Sequence, residues 1–66
     1  MKKYAPELTA TYKKDGRIID KYVCGEIHDD IESAKIECKI WEQFYAQRLK
    51  NPDMLISIKV KEIEEN

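Results

Sequence analysis

Apolar and polar residues alternate with two different periods along this chain, and the changes of period divide it into four elements. From Leu8 the period is two. Leu8, Ala10 and Tyr12 fall on one side of an extended segment and Thr9, Thr11 and Lys13 on the other, as in a strand with one buried face, and threonine favours the pleated backbone. Lys14-Asp15-Gly16-Arg17 comes next, and Asp-Gly between two alternating runs signals a two-residue type I′ hairpin, whose central residues need positive φ. Such a turn sets Tyr12 against Ile19, Ala10 against Lys21 and Leu8 against Val23. The core face then reads Leu8, Ala10, Tyr12, Ile19 and Val23, interrupted by Lys21. A three-residue loop with a glycine bulge would instead bring Asp20 in beside Ile18 and Tyr22. The first register is preferred, because a lysine beside a small alanine can snorkel to water. An inward-leaning lysine also blunts a sheet edge, which makes the second strand an edge.

After Cys24-Gly25-Glu26-Ile27-His28 the period changes to that of a helix. Asp29 or Asp30 caps it; with Asp29 as the cap, Glu32 falls at the third helical position and completes an aspartate version of the capping box. The helix is expected to reach about Lys50, where Asn51 suits the left-handed C-cap and Pro52 forbids continuation. At about 100° per residue, Ile31, Ala34, Cys38, Trp41, Tyr45 and Leu49 form one apolar stripe. Ile36, Ile40 and Phe44 form a second ridge well round the cylinder. Glu37 and Arg48 lie in the shorter arc between the two, and Lys35, Lys39 and Glu42 in the far arc.

The last element is a strand from Met54 to about Ile63, with Met54, Ile56, Ile58 and Val60 facing the core and Leu55, Ser57, Lys59 and Lys61 facing away. The helix returns the chain to the end where the second strand began, so the third strand runs antiparallel to the first. The expected fold is α+β: β-β-α-β, a three-stranded antiparallel sheet of order 2-1-3 with one long helix packed on one face. Residues 1–66 form one small domain, with 1–7 and 62–66 as loosely ordered ends; Pro6 blocks a helix and donates no ladder hydrogen bond.

Size and charge narrow the function. A fold of 66 residues buries only about 60% of its unfolded surface and gains from burying more against a partner. Lys and Arg nearly cancel Asp and Glu, for a net charge of −1, so the basic excess typical of a phosphate-binding protein is missing. No apolar run is long enough to span a bilayer, and Met1-Lys2-Lys3 leads into Tyr4-Ala5-Pro6 and not into a signal-peptide core. A cytoplasmic protein with free Cys24 and Cys38 is expected. Isoleucine outnumbers leucine, and Lys, Glu, Asn and Tyr are plentiful, the bias of an AT-rich coding genome such as a low-GC bacterium or its phage.

Candidate chemistry is sparse. Cys24 and His28, with Asp29, Asp30 and Cys38, offer zinc-ligand types but no close Cys pair, and a Cys24–His28 nucleophile would need a cleft and an orienting group. No paired carboxylates in a protected setting, phosphate loop or serine elbow is present. No catalytic residue, metal or cofactor is therefore assigned. Thr9, Thr11, Lys13, Tyr22, Ser57, Lys59 and Lys61 are expected on the uncovered sheet face. Of these, Thr11, Lys13, Tyr22, Lys59 and Lys61 make a candidate nucleic-acid face. Tyr12 to Arg17, Gly25-Glu26-Ile27 and Ser33-Ala34 loosely resemble the arm-binding domains of phage-type tyrosine recombinases, in which a short hairpin sheet packed on a helix reads DNA. The strong strand after the helix departs from that pattern, and no binding residue is carried over.

The second ridge carries the functional expectation. A lone small domain needs one apolar helix face, so Ile36, Ile40 and Phe44 are expected to meet either the chain's own ends or another molecule, by ridge packing of residues spaced i, i+4, i+8. The expected function is a non-enzymatic protein-interaction module, homodimeric through this ridge, encoded by a phage or mobile element and modulating a host protein. The alternative is a small DNA-binding or recombination accessory protein using the open sheet face.

Overall fold

In the computed structural model, which describes residues 1–48 and 51–64, the first strand begins at Lys2 and not at Leu8. β1 runs Lys2–Tyr12, β2 Ile18–Val23, α1 Ile31–Arg48 and β3 Met54–Glu64, and the sheet has the expected order β2-β1-β3 with both pairings antiparallel. Met1 to Glu7 was expected to be a loose end. Instead β1 pairs with β3 without a break from Tyr12↔Met54 to Lys2↔Glu64. Pro6 fits because its polar groups face the β2 side, where the Cys24 N–H donates to the Pro6 carbonyl (3.0 Å) and no donor is asked of its nitrogen. Residues 62–64, expected in the fraying tail, belong to β3, and 65 and 66 lie outside the described residues.

The hairpin takes a register other than the preferred one. Its loop has four residues, Lys13–Gly16, closed by the Tyr12 N–H on the Arg17 carbonyl (3.0 Å) and the Gly16 N–H on the Tyr12 carbonyl (2.9 Å). Gly16 has φ 72°, the left-handed conformation that glycine adopts without strain. Ala10 then pairs with Asp20 and Leu8 with Tyr22, while Thr11 pairs with Ile18, which leaves Ile19 as the extra residue of a bulge. Every side chain of β2 beyond the bulge is consequently on the opposite face from that of the two-residue turn. Asp20, Tyr22 and Cys24 share the helix side, and Lys21 and Val23 the open side.

Asp30, not Asp29, caps α1: its carboxylate accepts from the Ser33 N–H (3.0 Å) and the Ser33 hydroxyl (2.8 Å), and these bonds, the backbone one first, lower its pKa. Asp29 instead pairs with Lys3. Of the apolar stripe, Ala34 and Cys38 are buried and Trp41 and Tyr45 half-buried, whereas Ile31 is exposed and Leu49 lies outside the described residues. These side chains close over a core of Leu8, Ala10, Cys38 and Ile58, extended by Cys24, Met54, Ile56 and Val60. The helix packs on β3 and β1. β2, by contrast, is exposed along its whole length.

Candidate functional site

Because α1 lies over β1 and β3, its two flanks differ. One flank, with Lys35, Lys39 and Glu42, overhangs β3, where these residues and Cys38, Ile58, Lys59 and Val60 line a groove of about 380 Å³. The other flank turns Glu37 and Tyr45 towards β2 and the segment that leaves it, and Ile36, Ile40 and Phe44 lie further round the helix, away from the sheet. Ile36 is 63% exposed, Ile40 60% and Phe44 40%, so neither the N-terminal segment, which is part of β1, nor the described C-terminal strand covers the ridge.

Aromatic side chains line the corner between that ridge and β2. Phe44 packs edge-on against Trp41 and against Tyr45, with ring centroids 5.4 Å apart in each pair, a geometry that suits the ring quadrupoles. Arg48 covers the Phe44 ring at 4.4 Å. The Tyr45 hydroxyl is 3.4 Å from that of Tyr22, which is itself 41% exposed. Their hydrogen bond pushes the Tyr22 phenol up to about 12, so it stays neutral.

One polar cluster fixes this corner, and sequence reasoning misses it. Glu37 accepts from the Glu26 N–H (3.1 and 3.2 Å to its two oxygens), His28 Nε2 (2.5 Å) and Trp41 Nε1 (3.0 Å). Burial pushes its pKa up, but these donors outweigh burial and hold the carboxyl below its ordinary value. An ionised carboxylate only accepts, so Nε2 carries the imidazole proton. Glu37 thus straps the chain that leaves β2 to the helix and orients Trp41. Gly25 lets the strap close: a Cβ there would stand 2.6 Å from Pro6 Cγ. The signal available in the sequence is the i, i+4 spacing of Glu37, in the arc between the two apolar ridges, and Trp41 of the stripe.

The other candidate residues are scattered. Tyr22 lies on the helix side by virtue of the register. Lys13 lines a pocket of about 410 Å³ at the far end of the helix with Glu42, Tyr45, Ala46, Met54 and Ile56. Thr11, Lys59 and Lys61 do share the open face, but Glu7 sits among them, with Lys61 at 3.3 Å and Lys21 at 3.9 Å. Cys24 and His28 diverge: the thiol points at the Pro6 carbonyl (3.7 Å) and the imidazole at Glu37. Among the described residues no three His, Cys, Asp or Glu side chains are grouped to hold a metal ion, and no helix is long and apolar enough to cross a membrane.

The register also brings Cys24 to the face of the sheet on which Cys38 packs. Both are free thiols, and burial pushes both up. Alkylation at neutral pH, followed by mass spectrometry, is expected to be slow at both relative to an unfolded control and slowest at Cys38, because the thiolate is the reactive form. Equal, control-like rates would contradict this packing. No family model, curated protein or solved structure matches the chain.

Proposed function

We propose that this chain is a small, non-enzymatic protein-interaction module that receives an amphipathic helix of another protein in the corner between α1 and β2. The observation that carries this reading is the exposure of Ile36, Ile40 and Phe44 on a helix that leaves the neighbouring strand β2 uncovered. A contiguous apolar patch of that kind on a small domain marks a contact surface, and a helix lying along a neighbouring ridge is the shape that fills such a corner. The bulky anchors, Phe44, Tyr22 and Trp41, are residue types that dominate interface energies. The AT-rich coding bias supports a phage or mobile-element origin, for which binding and modulating a host protein is a natural use. Homodimerisation belongs to the same proposal, at the other edge of the sheet. Nucleic-acid binding is the weaker reading, because the open face lacks Tyr22 and carries Glu7.

A benzophenone side chain placed at position 40 in cells tests the proposal. Irradiation is expected to give an adduct with a second protein that is lost when Phe44→Glu is added. Adducts with this chain alone would put a second copy in the corner, as expected from sequence, and no adduct would remove the interaction reading. Ile40→Glu itself is expected to change folding stability by no more than about 0.5 kcal/mol in urea denaturation, since the ridge is outside the core.

A further inference from the structure

The two edges of the sheet are treated differently. β2 is blunted: it is short, it carries the Ile19 bulge, and the Lys21 N–H, which faces away from β1, is taken by the Asp20 carboxylate at 2.9 Å. Bulges and capped amides are how proteins keep an edge from pairing. β3 carries no bulge, and on its outer side only the Met54 N–H at its start is taken, by the Asn51 carbonyl at 3.3 Å, among the described residues. It is a strand of 11 residues without proline, and among the described residues no other strand pairs with its outer side. The Lys13 N–H donates to the Asp53 carbonyl at 2.9 Å, so by the alternation of an antiparallel ladder the amides of Met54, Ile56, Ile58, Val60 and Glu62 point outward.

We propose that β3 pairs antiparallel with β3 of a second copy, joining two sheets into one of order 2-1-3-3-1-2. A two-fold axis through Ile58 sets Ile58 against Ile58 of the copy, Ile56 against its Val60 and Met54 against its Glu62. Lys59 then faces Ser57 of the copy and Lys61 faces its Leu55. Moving the axis to Lys59 or Val60 would set lysine against lysine, which is destabilising across strands.

The helices fit this pairing. Strands stand about 4.8 Å apart and α1 packs on both β1 and β3, so an axis midway between those strands brings the two helices to about 10 Å, the contact distance of packed helices. They face each other with the flank that overhangs β3. The helix residues beside Ile58 and Val60 are Lys35, Cys38, Lys39 and Glu42, and those beside Met54 and Ile56 include Glu42, Tyr45 and Ala46. An antiparallel match about the same axis therefore sets Lys39 against Glu42 of the copy, and Lys35 against its small Ala46. The two grooves, floored by Cys38, Ile58 and Val60, become one closed apolar seam. The flank is thus complementary to itself in charge, and both ridges remain free on the outside of the dimer.

Charge reversal tests the arrangement. In sedimentation velocity the parent is expected to be a dimer, and Lys39→Glu and Glu42→Lys should each weaken it about tenfold or more by turning two attractive contacts repulsive. The double variant Lys39→Glu/Glu42→Lys should recover the dimer, and an equimolar mixture of the two single variants should form heterodimers. Exchange at the amides of Ile56, Ile58 and Val60 should slow as protein concentration rises, and Ile40→Glu should stay dimeric. A monomeric parent, single variants that dimerise like the parent, or an Ile40→Glu variant that dissociates would each overturn the proposal. The last of these would return the copy to the ridge, whereas loss of the cross-link at position 40 with this dimer intact would remove only the helix-docking reading.

Discussion

Leu8→Ala is expected to remove a large share of the protein's folding stability. Leu8 is 2% exposed and is paired with Tyr22 on one side and Ile58 on the other, beneath the helix. The rest of the fully buried core is made of small side chains, Ala5, Ala10, Ala34 and Cys38, together with Pro6 and Ile58. Little can collapse into the vacated space, because its neighbours on β1 are held by ladders on both flanks and those on β3 by the ladder to β1. A buried leucine replaced by alanine costs about 2–5 kcal/mol, against a total of roughly 3–10 kcal/mol for a chain of this length. Urea denaturation followed by Trp41 fluorescence measures the loss, and a change under about 1 kcal/mol would mean that the core is not centred on Leu8.

Glu37→Ala is expected to cost about 1–3 kcal/mol, the penalty of leaving partly buried donors without their acceptor. The Glu37 side chain is only 17% exposed, and its removal strands Trp41 Nε1, the Glu26 N–H and His28. The sign of the pH dependence follows from the lowered Glu37 pKa. A carboxyl held lower in the folded than in the unfolded state contributes stability that is complete above the unfolded value, about 4.3, and is lost as the pH falls through the folded one. The gap between the parent and Glu37→Ala should therefore be full near neutrality and narrow under acid conditions. A gap that widens with acid would exclude an ionised Glu37 as the strap.

Strand order was legible because the strands with a buried face announce it. Met54, Ile56, Ile58 and Val60 keep strict alternation, and all face the helix. The hairpin register was not legible, and the reason lies in the placement of α1. Register is specified by the difference between a buried and a solvated face, and β2, reached by the helix at Tyr45 but not covered, has no such difference. Asp20 on the helix side costs little because nothing buries it there. A snorkelling lysine is favoured only where the strand carries a burial penalty, and this one carries none. Pro6 signals a loose end by its missing N–H, but that N–H falls where no partner needs it, so the strand continues through it. Of the candidate site, the ridge was legible from helical period alone. The Glu37 strap depends on contacts between segments that no local period encodes.

The ladder between β1 and β3 joins residue 2 to residue 64 and residue 12 to residue 54. Contacts so distant along the chain are slow to form, since the intervening loop must close before any of them is rewarded. During synthesis the hairpin and helix emerge first, but Leu8 has no Ile58 to meet and the helix has half its sheet missing. A nascent chain that stops short of Met54 therefore holds an apolar hairpin and a two-sided helix in search of cover. The fold closes only after β3 has cleared the ribosome, and until then its early segments are natural clients for chaperones that shield greasy strands.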